Sequence, residues 1–219
     1  GDCDDGNLDV RPDAQDVCNG IDDNCDGFTD EGAPDLDGDG VADCVDPCPV
    51  VVDAAAAPGG NGSVAAPFVS VQQGIDESGA CGEVWVLPGT YFERIDFGGR
   101  DVRVHAVGGP AVTVLDAAGT GSGVTFAAGE SALAMLDGFT VRGGTGTPGS
   151  APWGDPALRY GGGILVVGAS PTLTGCIVTD NAVTGQGGGV FLHGSAGRIL
   201  DSVVQGNTAT HDEEAGAGI

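Results

Sequence analysis

Two stretches of this 219-residue chain repeat at one fixed offset, and that repetition limits the fold more than anything else in the sequence. Gly161-Gly-Gly-Ile164 recurs 26 residues on as Gly187-Gly-Gly-Val190, and Cys176-Ile-Val-Thr-Asp-Asn181 recurs 26 residues on as Ser202-Val-Val-Gln-Gly-Asn207. Gly138-Phe-Thr-Val-Arg-Gly-Gly144 is a looser earlier copy. Short β-type runs fill the chain from Val84 onward: 84–86, 102–104, 112–114, 124–126, 139–141, 164–167, 177–179, 190–192 and 203–205. Each is three or four residues long, too short for a sandwich strand. Short strands recurring every 20–30 residues fit stacked coils, one strand set on the next at about 4.8 Å.

The expected fold is therefore mostly β: a right-handed single-stranded parallel β-helix, a solenoid. Asn181 and Asn207, at equivalent turns, suggest an asparagine ladder along its axis. A solenoid must protect its first coil from edge pairing. Ser70-Val-Gln-Gln73 reads as a capping box that opens a helix over 70–78, with Ser70 as N-cap and Gly79 as the stop. The stripe Phe68, Val71 and Ile75 would seat it as an N-terminal capping helix. Gly143 to Tyr160, with Pro148, Pro152 and Pro156, does not fit a coil of the repeat length. It is expected to be an excursion loop carrying Trp153 and Tyr160.

The run from Ser70 to Tyr91, notably Val84-Trp-Val-Leu-Pro-Gly-Thr-Tyr91, resembles the opening of secreted right-handed parallel β-helix proteins of the pectate-lyase-like fold. With the Gly-Gly-Gly-apolar and apolar-x-x-x-Asn units, the resemblance extends over about residues 68–219. It speaks to fold, and only weakly to function.

Charge divides the chain. The total is −25, from 7 Lys+Arg and 32 Asp+Glu, and there is no lysine. Residues 1–53 hold 16 Asp and Glu31 against Arg11 alone, along with Cys3, Cys18, Cys25, Cys44 and Cys48. Such a charge repels phosphate backbones and anionic lipid, which excludes a nucleic-acid binder. No apolar run reaches the roughly 18 residues of a membrane span, so no membrane insertion is expected. The organisation read from this is an acidic, Cys-rich calcium-binding module over 1–53, a linker over 54–63 and the β-helix over 64–219.

A segment with so large an excess of acids and few large apolar side chains cannot build a core. Divalent cations and disulfides must replace one. Asp35, Asp37, Asp39, Asp43 and Asp46 occupy positions 1, 3, 5, 9 and 12 of a calcium loop, with Gly40 at 6 and the Val41 carbonyl at 7. Pro47 and Pro49 forbid the flanking helix of an EF-hand. The pattern is similar to a thrombospondin type 3 repeat, in which aspartate loops bind calcium in a disulfide-tied irregular chain.

Upstream, Asp22, Asn24, Asp26, Gly27, the Phe28 carbonyl and Asp30 repeat positions 1, 3, 5, 6, 7 and 9, with Glu31 adjacent. Position 12 is Ala33, so a ligand must be borrowed, and Asp2, Asp4, Asp5, Asp9 and Asp13 are at hand. The DCDD, VCNGIDDNCDG and TDE blocks over residues 2–32 resemble the MopE-type metal-binding repeat of secreted bacterial proteins. Copper prefers imidazole, thiolate or thioether ligands, and this segment has neither His nor Met. An all-oxygen set selects Ca²⁺, and two or more ions are expected. Seven cysteines cannot all pair within the chain, and Cys176, inside an apolar run, is the candidate free thiol.

No catalytic residue is expected. A lyase of the pectate-lyase-like fold needs clustered basic residues. The chain lacks Lys, and Arg94, Arg100, Arg103, Arg142, Arg159 and Arg198 do not recur at a coil spacing. Asp180 and Asp201 fall short of the repeat offset, so they need not face each other, and His105, His193 and His211 read as surface residues. The function read from the sequence is a calcium-stabilised extracellular structural protein of the cell surface, self-associating head-to-tail or adhesive. The head-to-tail idea rests on the chain stopping at Gly216-Ala-Gly-Ile219, the start of another unit. The alternative is a carbohydrate-binding module using Trp153, or, further off, a polysaccharide lyase or hydrolase. Asn61-Gly-Ser63 is a glycosylation sequon.

Overall fold

The computed structural model describes residues 6–7, 9–33, 42, 49–79, 82–149 and 157–210. Its β-strands are short because each coil needs only two to four residues per face before a turn. Three large sheets and two two-stranded ones are built from them, and every pairing within the three large sheets is parallel.

The first sheet runs Val50–Val52, Glu83–Val86, Arg103–Ala106, Met135–Asp137, Thr172–Thr174 and Arg198–Leu200, in that spatial order. The second is Gly89–Tyr91, Thr113–Asp116, Thr140–Arg142, Ile177–Thr179 and Val203–Gln205. The third is Ile95–Asp96, Val124–Phe126, Ile164–Val167 and Val190–His193. From Glu83 on, the chain visits the first, second and third sheets in rotation, an arrangement that fits a parallel β-helix. The expected offset of 26 is the pairing register itself, since Ile164 faces Val190, Thr172 faces Arg198 and Ile177 faces Val203.

Alternation along each strand sends one side chain inward, and the register stacks like on like. Val84, Val104, Leu136, Leu173 and Ile199 form one column. Tyr91, Leu115, Val141, Val178 and Val204 form a second. Ile95, Val124, Ile164 and Val190 form a third. These columns meet in one hydrophobic cluster, in which Phe97 stacks on Phe126 with ring centroids 4.2 Å apart.

The ladder expected of the two asparagines is present. Asn181 is buried, and its Nδ2 donates to Val141 O (3.1 Å), Thr179 O (3.0 Å) and Asn207 Oδ1 (3.0 Å).

The helix spans Val71–Glu77. Ser70 Oγ accepts from Gln73 N (3.2 Å), as the N-cap reading requires. The first turn of a helix leaves further N–H donors without partners in the helix itself. Glu93, far along the chain, takes them: Val71 N at 2.7 Å, Gln72 N at 3.2 Å and the Ser70 hydroxyl at 2.7 Å. The helix lies close on the first sheet. A Cβ on Gly74 would stand 2.7 Å from Val52 Cγ2 and 2.9 Å from Val84 Cγ1. Only glycine allows this approach.

The sheet takes in Val50–Val52, ahead of the boundary drawn at 53. Within the stretch expected as linker, Gly62 O accepts from Val51 N (2.7 Å), and Asn61 N and Gly62 N both donate to Ala66 O (2.9 and 3.0 Å). The excursion begins and ends as an antiparallel pair, with Thr147 opposite Tyr160 and Pro148 opposite Arg159. Among the described residues no helix is long and apolar enough to cross a membrane.

Candidate metal centre

The residues of the acidic segment lack apolar bulk, and what organises them is carboxylate-to-amide hydrogen bonding. Asp22 accepts from Asp26 N (Oδ1, 3.2 Å) and Gly27 N (Oδ2, 2.9 Å). Asn24 Oδ1 also accepts from Asp26 N (2.9 Å), and Asp26 Oδ1 accepts from Phe28 N (2.9 Å). Positions 1, 3 and 5 of the upstream loop therefore curl over the amides of positions 5, 6 and 7, so Asp22, Asn24 and Asp26 share one turn. Cys25 and Gly27 supply its positive φ angles, 63° and 97°.

Asp30 and Asp23 are placed differently. Asp30, assigned to position 9 by spacing, is buried and receives Asn19 N (2.8 Å) and Gly20 N (2.9 Å). Asp23 is also buried; it takes Val17 N and the Asn19 amide (both 3.1 Å), and its own N–H donates to Asp16 Oδ1 (2.8 Å). Both are staples that close the 16–30 segment. Phe28 is 69% exposed, and Asp13 is exposed at φ 77°.

Sequence spacing missed the partnership of Asp16 and Glu31. Asp16 belongs to no calcium-loop offset, so no signal in the sequence marks it. The contact between the two carboxyls lowers Asp16 and raises Glu31 from their ordinary values. Asp16 Oδ2 is buried without a protein donor, and the Asn24 amide donates to Glu31. Two carboxylates beside an orphaned oxygen need either a proton or a cation between them. The oxygen-only donor set around Asn24 suits a hard divalent cation. Among the described residues, no group of three or more His, Cys, Asp or Glu side chains converges as a metal site.

Asp2, Asp4 and Asp5 lie outside the described residues, as do Asp35, Asp37, Asp39, Val41, Asp43 and Asp46 of the downstream loop. Ala42 of that loop is described. It is buried and walls a cleft of about 450 Å³ lined by Phe28, Asp30, Glu31 and Ala33. Ala42 therefore lies beside residues 27–33 of the upstream loop. Among the described residues Cys176 is the free cysteine.

Four of the six arginines of the β part are engaged within its wall. Arg103 bridges Glu83 (3.0 Å) and Asp137 (2.6 Å), and Asp137 also meets His105 Nδ1 (2.9 Å). Arg142 pairs with Asp116 (2.9 Å), Arg100 with Asp76 (3.3 Å), and Arg159 donates to Gly146 O (2.9 Å). Asp180 and Asp201 sit at separate turns with φ of 55° and 47°. Tyr160 is buried, its ring 5.1 Å from that of Phe191, so this aromatic of the excursion covers the coil. Trp153 and His211 lie outside the described residues.

Residues 2–31 match the model of the Cu-binding MopE family, described as a "Putative metal-binding motif". No curated protein and no solved structure matches the chain.

Proposed function

We propose that this chain is a calcium-stabilised structural protein of the extracellular surface, in which an acidic module held by Ca²⁺ precedes a rigid solenoid. The observation that carries the reading is the metal-binding match over 2–31, joined to a turn whose donors at Asp22, Asn24 and Asp26 are all oxygen. Oxygen ligands and the lack of His or Met there favour calcium over copper. The downstream loop at 35–46, similar to a thrombospondin type 3 loop, supplies a second ion site beside the first, which the position of Ala42 supports.

The solenoid is right-handed and of the pectate-lyase-like kind; the rotation through three parallel sheets, the register of 26 and the asparagine ladder support it. Cys18 and Cys25 are oxidised in a secreted protein, as expected for a coreless module. The protein is not an enzyme. Engagement of Arg103, Arg142, Arg100 and Arg159 within the wall supports this, since none of the four is left to gather as a basic centre. The chain self-associates head-to-tail as a fibre subunit, or acts as an adhesin.

Calcium removal tests the reading. EGTA should lower the melting temperature and open the acidic segment to endoproteinase Glu-C at Glu31, while a fragment carrying the coils survives. Equal resistance with and without chelator, in fully demetallated protein, would overturn it.

A further inference from the structure

Asn61-Gly62-Ser63 is the one Asn-x-Ser/Thr triplet of the sequence, and it falls in an exposed turn that the metal centre does not use. The turn closes on itself: Asn61 N and Gly62 N both donate to Ala66 O, and Ala66 N donates to Ser63 O (3.1 Å). Within it the Asn61 side chain is oriented by its own sequon. Asn61 Oδ1 accepts the Ser63 hydroxyl at 2.8 Å and Ser63 N at 3.1 Å. Two donors on the carbonyl oxygen draw electron density from the amide nitrogen and make its protons more acidic.

Asn61 Nδ2 itself meets no hydrogen-bond partner among the described residues, whereas the Nδ2 groups of Asn19, Asn24, Asn181 and Asn207 are engaged. An open cleft of about 420 Å³ flanks the turn, lined by Pro58, Gly60, Val64, Pro67 and Leu87, with the Asp53 carboxylate among its walls. Such a cleft offers apolar surface and a hydroxyl acceptor to a sugar ring.

We propose that Asn61 is an N-glycosylation site. Nδ2 attacks C1 of the reducing-end sugar of a polyprenyl-diphosphate-linked oligosaccharide. The N–C1 bond forms as the C1–O bond to the diphosphate breaks. Its electron pair leaves with the polyprenyl diphosphate, and the Nδ2 proton passes to a carboxylate of the transferase. The proposal rests on the extracellular reading above.

The test is export of the full chain through a glycosylating secretory pathway, followed by intact mass and peptide mapping of the protein in the medium. One glycan is expected, on the peptide containing Asn61. It should disappear in Asn61→Gln and in Ser63→Ala and persist in Ser63→Thr, which keeps the hydroxyl. Removal by peptide N-glycanase in ¹⁸O water should mark position 61. Exported wild-type protein with Asn61 unmodified overturns the proposal and leaves the extracellular reading standing. A chain that folds but is not exported overturns that reading, and the proposal with it.

Discussion

Asn207 lies one coil beyond Asn181, and its Oδ1 receives both the side-chain Nδ2 (3.0 Å) and the backbone N (3.1 Å) of Asn181. Asn181 Oδ1 in turn accepts from Gly144 N (2.8 Å), so a single amide ties three successive coils. Replacing it leaves several buried groups unpaired. Asn181→Ala is expected to cost about 3 kcal/mol in urea unfolding, at the upper end for an unsatisfied buried group. Asn207→Ala, at a half-buried site in the last described coil, should cost about half as much.

Ala118 sits exposed at φ 49°. That is a left-handed conformation, which a Cβ disfavours. Its N–H donates to Asp116 Oδ1 (2.9 Å), a bond that glycine keeps. Ala118→Gly should therefore raise stability by about 0.5–1 kcal/mol, read as a shift in denaturation midpoint with unchanged slope.

Tyr91 holds strand, linker and first coil together, donating to Leu87 O (2.8 Å) and accepting from Ala54 N (3.2 Å). Burial pushes its hydroxyl up from 10.0 to about 12. The unfolded chain loses that proton first, so the contribution is complete below pH 10 and drains away as pH rises towards 12. Tyr91→Phe should lose about 1 kcal/mol at neutral pH and show a shallower fall between pH 10 and 12 in thermal melts.

Cys176 is buried, and burial raises its thiol to about 11. A thiol so placed is nearly all protonated and out of reach. A disulfide reagent at pH 8 should leave the native protein untouched over hours and label Cys176 at once in denaturant. Fast labelling of native protein would show that the coil wall opens there.

The two calcium-loop readings can be separated from mere loss of acid. Asp53 lies outside the ligand spacing and its Oδ1 caps Ala55 N (2.8 Å). Asp37→Ala should weaken calcium binding at least tenfold, about 1.4 kcal/mol, in calorimetric titration. Asp53→Ala should leave affinity unchanged.

Much of this structure was legible in the sequence because repetition writes register directly into residue numbers. The runs at 124–126, 164–167, 177–179 and 203–205 are strands at those bounds, and the helix at 70–78 is one residue shorter at each end. Met135–Asp137 and Thr172–Thr174 each send a single leucine inward between polar neighbours, too short an apolar pattern to be read as a strand. The Arg103 bridge was hidden because coil lengths vary. Along the first sheet Glu83 pairs with Arg103, Arg103 with Met135, Met135 with Thr172 and Thr172 with Arg198, and no two of these steps are equal. An expectation of constant spacing could not bring Glu83, Arg103 and Asp137 together.

The sequence by itself determined the 26-residue register of the last described coils, the asparagine ladder and the oxygen chemistry of the acidic segment, since each depends on local pattern or on a fixed offset. Only the tertiary structure decided which groups meet across unequal coils. Glu93 caps the helix in space, Asp16 faces Glu31 where no ligand spacing placed it, and Tyr160 packs over Phe191. The physical reason is that stacking aligns backbones strand by strand, whatever length of chain intervenes. Side-chain partners are then set by the rung each residue reaches, and sequence separation carries no record of the rung.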